Sequence, residues 1–203
     1  MAIQRAFRHV LPALMVLALV SAAHAGPFTL LGGVSALVGV PVSSDLSDTY
    51  TAGPGIAADL SIVYSEYFRL TVGFSPVYYT GTPPSGSLAD NASARMWYVP
   101  AYGVLQFTLP EPQSLRPYVG AGLGVVHVNE TQSFDAGIGP RDRSESSTVF
   151  SYQAMLGIEL RKKGRLFAEL WYFGGSLGGV EGVDGSSTSV ASVQLRLGYR
   201  GEF

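Results

Sequence analysis

Thr148-Val149-Phe150-Ser151-Tyr152-Gln153-Ala154-Met155-Leu156-Gly157-Ile158-Glu159-Leu160-Arg161 carries the pattern on which the fold turns. Phe150, Tyr152, Ala154, Leu156, Ile158 and Leu160 occupy every second position. Ser151, Gln153, Glu159 and Arg161 fall on the positions between. A period of two sends successive side chains to opposite faces of a strand. One face is therefore aromatic or aliphatic throughout, and the other holds polar groups and charges of both signs.

The same alternation recurs in seven further segments: 28–42, 55–64, 68–79, 95–108, 117–128, 165–173 and 189–203. In 117–128 the parity is open to two readings, and Gly120, Gly122 and Gly124 are assigned to the inner face opposite Val119, Ala121, Leu123 and Val125. Eight alternating segments, with no helix-period segment and no linker among them, predict an all-β, single-domain chain.

Composition agrees. The chain has 203 residues, 47% of them hydrophobic and 14% charged, with 25 glycines and no cysteine. Its mean hydropathy is +0.24. Only Val10 to Ala23 forms a continuous apolar run, and Pro12 and Ser21 interrupt it. A membrane helix needs about 20 apolar residues in succession, so a helical multi-pass protein is excluded. So is a disordered chain, which is poor in aliphatic and aromatic residues.

Residues 1–25 read as a cleaved secretory signal. Arg5 and Arg8 form the basic start, Leu11 to Val20 the apolar stretch, and Ala23-His24-Ala25 an A-x-A site. The barrel domain then spans 26–203. Loss of Arg5 and Arg8 from 13 basic residues, against 15 acidic ones, makes the remainder more acidic. That disfavours a nucleic-acid partner, which selects for a basic patch. An exported chain without cysteine has no disulfide framework. Barrel closure would hold it instead, by pairing every strand edge.

Connections alternate in length. Residues 65–67, 109–116 and 162–164 join strands tightly, whereas 43–54, 80–94, 129–147 and 174–188 are longer and polar. Transmembrane barrels show this asymmetry. A soluble two-sheet sandwich also alternates, but three features favour the barrel. Several strands reach roughly 12–14 residues, enough to cross a bilayer when tilted. Aromatic residues gather near both strand ends: Phe28, Tyr64, Phe68, Phe107, Tyr118, Tyr199 and Phe203 at one, Tyr78, Tyr79, Trp97, Phe150, Tyr152 and Tyr172 at the other. These read as interfacial girdles. Finally, Asp59, Arg69, Glu159, Arg161, Glu169 and Arg196 all lie on the polar face. In a barrel that face is the lumen, where opposite charges can pair. The expectation is an eight-stranded antiparallel up-and-down transmembrane β-barrel whose lumen these six residues fill as an ion-pair cluster.

Catalytic and metal chemistry find little support. His127 is the one histidine outside 1–25, and one histidine without cysteine cannot build a structural zinc site. Gly174-Gly175-Ser176-Leu177-Gly178 matches G-x-S-x-G, but no helix follows to make the elbow that motif needs. Gly53-Pro54-Gly55-Ile56-Ala57-Ala58 lacks the βαβ unit of a dinucleotide site. No catalytic residue, metal site or cofactor is assigned.

The final stretch Leu195-Arg196-Leu197-Gly198-Tyr199-Arg200-Gly201-Glu202-Phe203 resembles the C-terminal assembly signal of outer-membrane proteins, with Leu197, Tyr199 and Phe203 as its apolar positions. Gly201 stands where an aromatic is usual. Arg116 to Gly124 is similar to the fifth strand of small barrels of the OmpA-like, opacity-protein and OmpW-like groups. The resemblance implies a porin-like barrel in the outer membrane of a Gram-negative-type bacterium, with both termini periplasmic. It implies contact with outer-membrane lipid, lipopolysaccharide and the barrel-assembly machinery, and an extracellular ligand reached through the loops. Lipid A deacylases keep a His-x-Ser pair at the depth of His127, but His127-Val128-Asn129 lacks the serine. The chain ends at Phe203, so peptidoglycan tethering through a further domain is not expected.

Three roles follow: a structural or surface-interaction barrel, favoured; a narrow OmpW-like channel for small apolar molecules, with an apolar pocket lined by Tyr98, Tyr102, Trp171 and Phe173 and opening sideways to lipid; and an outer-leaflet lipid A-modifying enzyme, disfavoured.

Overall fold

The computed structural model describes residues 28–82, 92–109, 115–135, 140–160, 165–177 and 188–203. The segment read as a signal lies outside them. The elements are β1 (Thr29–Pro41), a single-turn helix α1 (Ser44–Ser47), β2 (Gly53–Val63), β3 (Phe68–Phe74), β4 (Val77–Gly81), β5 (Ser93–Thr108), β6 (Leu115–Asp135), β7 (Pro140–Leu160), β8 (Arg165–Leu177) and β9 (Thr188–Glu202).

Successive strands pair antiparallel, except that β3 and β4 each pair with β2 and β5 rather than with one another, and β1 pairs with β9, so the sheet closes. β3 and β4 are two halves of one stave, giving an eight-stranded barrel. The expected continuous strand 68–79 is broken at Ser75-Pro76. Proline has no N–H for the ladder; here its carbonyl still accepts from Ile56 N at 3.2 Å, and Ser75 N donates to Pro100 O at 3.0 Å.

Two more boundaries differ from the sequence reading. The connection 129–147 is largely strand: β6 and β7 stay paired as far as Asp135 opposite Pro140. Both faces of that ribbon are polar beyond the lipid-facing zone, so hydrophobic alternation gives no sign of it. Connection 43–54 contains α1, whose Leu46 and neighbouring Tyr50 are buried.

Inside and outside follow parity. Val34, Ile56, Leu105, Leu123, Phe150 and Leu197 are exposed on the wall, while their sequence neighbours point inward and are buried or half-buried. No helix among the described residues is long and apolar enough to cross a membrane. Gly122 and Gly124 sit where β5 and β6 coil tightly. A β-carbon there would come within 2.0 Å of Gly103 O and 2.1 Å of Ala101 O.

Candidate functional site

The lumen holds the chemistry. Among the described residues, six charged side chains are buried: Asp59, Glu159 and Glu169 against Arg69, Arg196 and Arg200. The six divide equally between the two signs, which matters because an unpaired charge in such a space is costly.

At the short-turn end, Arg69 Nη1 donates to Glu159 Oε2 at 2.9 Å and Arg69 Nε to Gln106 Oε1 at 2.5 Å. Its guanidinium lies 4.8 Å from the Tyr118 ring. Arg165 approaches Glu159 at 3.8 Å and also bonds Glu202. A cavity of about 140 Å³ opens there between Arg69, Arg116, Tyr118, Glu159 and Arg165.

Deeper in, Arg200 is the junction. Its Nε donates to Asp59 Oδ1 at 3.0 Å and its Nη2 to Glu169 Oε1 at 2.6 Å. Tyr118 Oη accepts from Arg200 Nη1 at 3.1 Å and donates to Glu169 Oε1 at 2.6 Å. Trp171 Nε1 donates to Glu169 Oε2 at 2.7 Å. Both oxygens of Glu169 are thus occupied, the condition under which a buried carboxylate stays ionised without prohibitive cost.

The third arginine behaves differently. Arg196 makes no ion pair among the described residues. It donates to Tyr102 Oη at 2.7 Å, Ser75 Oγ at 2.8 Å and Gln194 Oε1 at 2.8 Å. Its guanidinium stacks 4.1 Å over Trp171. Rings of Tyr102, Trp171 and Phe173 contact one another, with centroids 4.7 to 5.8 Å apart. The channel role would have these three and Tyr98 lining an open apolar pocket. All four instead lie within a buried cluster that includes Leu46 and Tyr50 at the long-loop end. Inward-facing aromatics in an eight-stranded barrel meet across its narrow width and fill it.

Of the six residues expected to form an ion-pair cluster, Asp59, Arg69, Glu159 and Glu169 enter direct pairs and Arg196 does not. Arg161 lies outside the described residues. Arg200, which joins two of the carboxylates, is not among those six, although its parity with Arg196 puts it on the inner face and is the signal that could find it. Tyr79 and Tyr118 are not girdle residues. Both are buried inward, Tyr79 bonding Ser192 at 2.6 Å. Proximity to a strand end suggests the girdle, but parity decides the face.

His127 points outward. Its Nδ1 lies 2.8 Å from Thr148 Oγ1, and both residues are exposed. Leu197, Tyr199 and Phe203 also face outward, with the Phe203 ring lying over Gly32, where a β-carbon would come within 2.5 Å of it.

A closed barrel of this form is matched by the family model for the outer membrane protein beta-barrel domain over residues 10–200. The chain belongs to that family. The outer-membrane barrel is similar in fold to Ail, the attachment invasion locus protein of Yersinia pestis. In a complex with the heparin analogue sucrose octasulfate, Ail is 12% identical with a TM-score of 0.54, over 86% of this chain and 99% of that one. A second Ail structure gives 15% identity and 0.52, over 85% and 98%. Neisserial surface protein A gives 17% and 0.49, over 86% and 97%. No curated protein matches the outer-membrane barrel.

Proposed function

We propose that the chain is a non-conducting outer-membrane barrel that displays its long-loop end outside the cell as an interaction surface. The observation that carries this reading is the filled lumen. Above the cavity beside the Arg69–Glu159 pair, the Arg200 junction, the Arg196–Trp171 stack and the apolar cap succeed one another across the barrel among the described residues. In this reading residues 1–25 are removed as a signal and both termini are periplasmic. Leu197, Tyr199 and Phe203 are read by the assembly machinery during insertion. The wall contacts outer-membrane lipid and lipopolysaccharide, and the ribbon of β6 and β7 reaches an extracellular ligand. No enzymatic step is assigned. Recordings of the purified protein in planar bilayers test the reading: a filled lumen yields no discrete openings, and stepwise conductance overturns it.

One observation favours a second reading, passage of small apolar molecules. Pro54, Pro76 and Pro100 fall on three adjacent staves. Between β2 and β4 the regular ladder holds only Gly55 opposite Val77, with single bonds such as Thr51 N to Thr80 O at 3.0 Å beyond it. This irregular wall adjoins the aromatic half of the lumen, so in this reading repacking of those rings opens a lateral exit to lipid. Flux of a small apolar dye into protein-loaded vesicles, absent from empty ones, would establish it.

A further inference from the structure

The three buried arginines differ in how fully they are satisfied. Arg196 and Arg200 each use all three guanidinium nitrogens in hydrogen bonds. Arg69 uses Nε and Nη1, while its Nη2 is buried without a hydrogen-bond partner. Gln106, which accepts from Arg69 Nε, likewise keeps a buried Nε2 unpartnered. Arg69 is only 5% exposed. A buried charged donor left unpaired is costly, so the position calls for an acceptor.

Space for one lies beside it. Arg69 lines the cavity of about 140 Å³ at the short-turn end, together with Arg116, Arg165 and Ser65. One water needs only about 10–15 Å³ of such space, so a group of several atoms fits. Ser65 Oγ accepts from Tyr67 N at 3.2 Å and from Phe68 N at 3.1 Å, which leaves its hydroxyl hydrogen to donate. Two carboxylates share the lining, Glu159 and Glu66. Arg116 stands opposite Glu159 in the β6–β7 register, but that carboxylate is bonded by Arg69 Nη1 and approached by Arg165 instead. Glu66 is exposed. The cavity therefore carries three guanidinium groups and a surplus of donors. The matching partner is an anion with several acceptor oxygens. Guanidinium groups bind phosphate oxygens in pairs, and one phosphate has charge and oxygens enough for more than one of them.

We infer that this cavity is a phosphate-binding site, in which the buried Arg69 Nη2 and the half-buried Arg116 donate to phosphate oxygens and Ser65 Oγ adds a third donor. A dissolved phosphate and the phosphate of a lipid headgroup present the same chemistry to it. In a cell the site faces the periplasm on the orientation proposed above; binding to the purified barrel is independent of that orientation.

Isothermal titration of the full folded barrel in a phosphate-free, non-ionic detergent tests it. Inorganic phosphate should bind at one site per barrel, and sodium chloride at matched ionic strength should give no isotherm. Arg116→Gln should weaken binding about tenfold, through loss of a charge-assisted donor. Arg69→Lys keeps a cation for Glu159 but loses the guanidinium fork, and should weaken binding at least as much. Arg95→Gln, at an exposed position of β5 near the long-loop end, should bind as wild type does. A heat-dependent gel shift verifies that each variant is folded. The absence of a phosphate isotherm, an isotherm that chloride reproduces, or unchanged affinity in folded Arg116→Gln would each overturn the inference. Repeating the titration in nanodiscs of phosphatidylglycerol separates the two sources. An unchanged isotherm supports a dissolved ligand, and a lost one supports a headgroup already in place. Bilayer conductance is a separate readout, so failure of the non-conducting reading is distinguishable from failure of the site.

Discussion

Arg200 and Glu169 meet at 2.6 Å in the lumen, and neither side chain is reached by solvent. Glu169 is directly opposite Arg196 in the β8–β9 register, yet its ion pair is with Arg200. Closure of the tilted staves brings Asp59 and Tyr118 to the same point, so Arg200 is held from three sides. Such a junction adds little net stability, because desolvation offsets most of the Coulombic gain. Its removal is a different matter.

Glu169→Gln leaves Arg200 with a single carboxylate in a dry space. Breaking a buried pair in this way costs about 3–5 kcal/mol. The expected outcome is a lower urea midpoint for loss of the heat-modifiable gel form. A midpoint equal to wild type would show that the pair is not structural.

Trp171→Ala removes the ring beneath the Arg196 guanidinium and the donor to Glu169. Loss of a buried large aromatic costs about 3–5 kcal/mol. The same change opens the ring layer that Trp171 makes with Tyr102 and Phe173, so brief conductance events should appear in bilayers where wild type has none.

Gly122→Val forces side-chain atoms into the Gly103 carbonyl, a backbone group that cannot swing aside. The variant should fail to give the folded gel form at all. At Gly103 itself a β-carbon would meet only Val72, at 3.9 Å, so Gly103→Ala should keep a normal gel shift.

Phe203→Ala exposes Gly32 and removes the terminal aromatic. Insertion into the outer membrane should slow about tenfold while the inserted fraction keeps a near-normal urea midpoint, because the ring is mostly exposed in the folded barrel. Pulse-chase of the heat-modifiable form reads both. An unchanged rate would remove Phe203 from the assembly signal.

His127→Ala should leave lipid A acylation unchanged, as judged by mass spectrometry of extracted lipid. The imidazole bonds Thr148 on the outer wall, and no carboxylate is bonded to it among the described residues. Altered acylation would revive the enzymatic role.

Residue order alone is enough for the wall. Lipid accepts only apolar side chains and a closed ladder, and the strand period is two, so the sequence assigns Leu123, Phe150 and Leu197 outward and Glu159, Glu169 and Arg196 inward. The same rule turns Tyr118 and Tyr79 inward when parity is preferred to position along the strand. Above the lipid that constraint lapses, which is why 129–135 and 140–147 have the sequence of a loop although they are paired ribbon. The pairing of lumen charges needs the assembled barrel. Asp59 and Arg200 are 141 residues apart, and only the tilt and closure of the staves decide that they touch while Glu169 bypasses its cross-strand neighbour. The emptiness or fullness of the lumen has the same origin, since it depends on how rings from opposite staves meet across the barrel width.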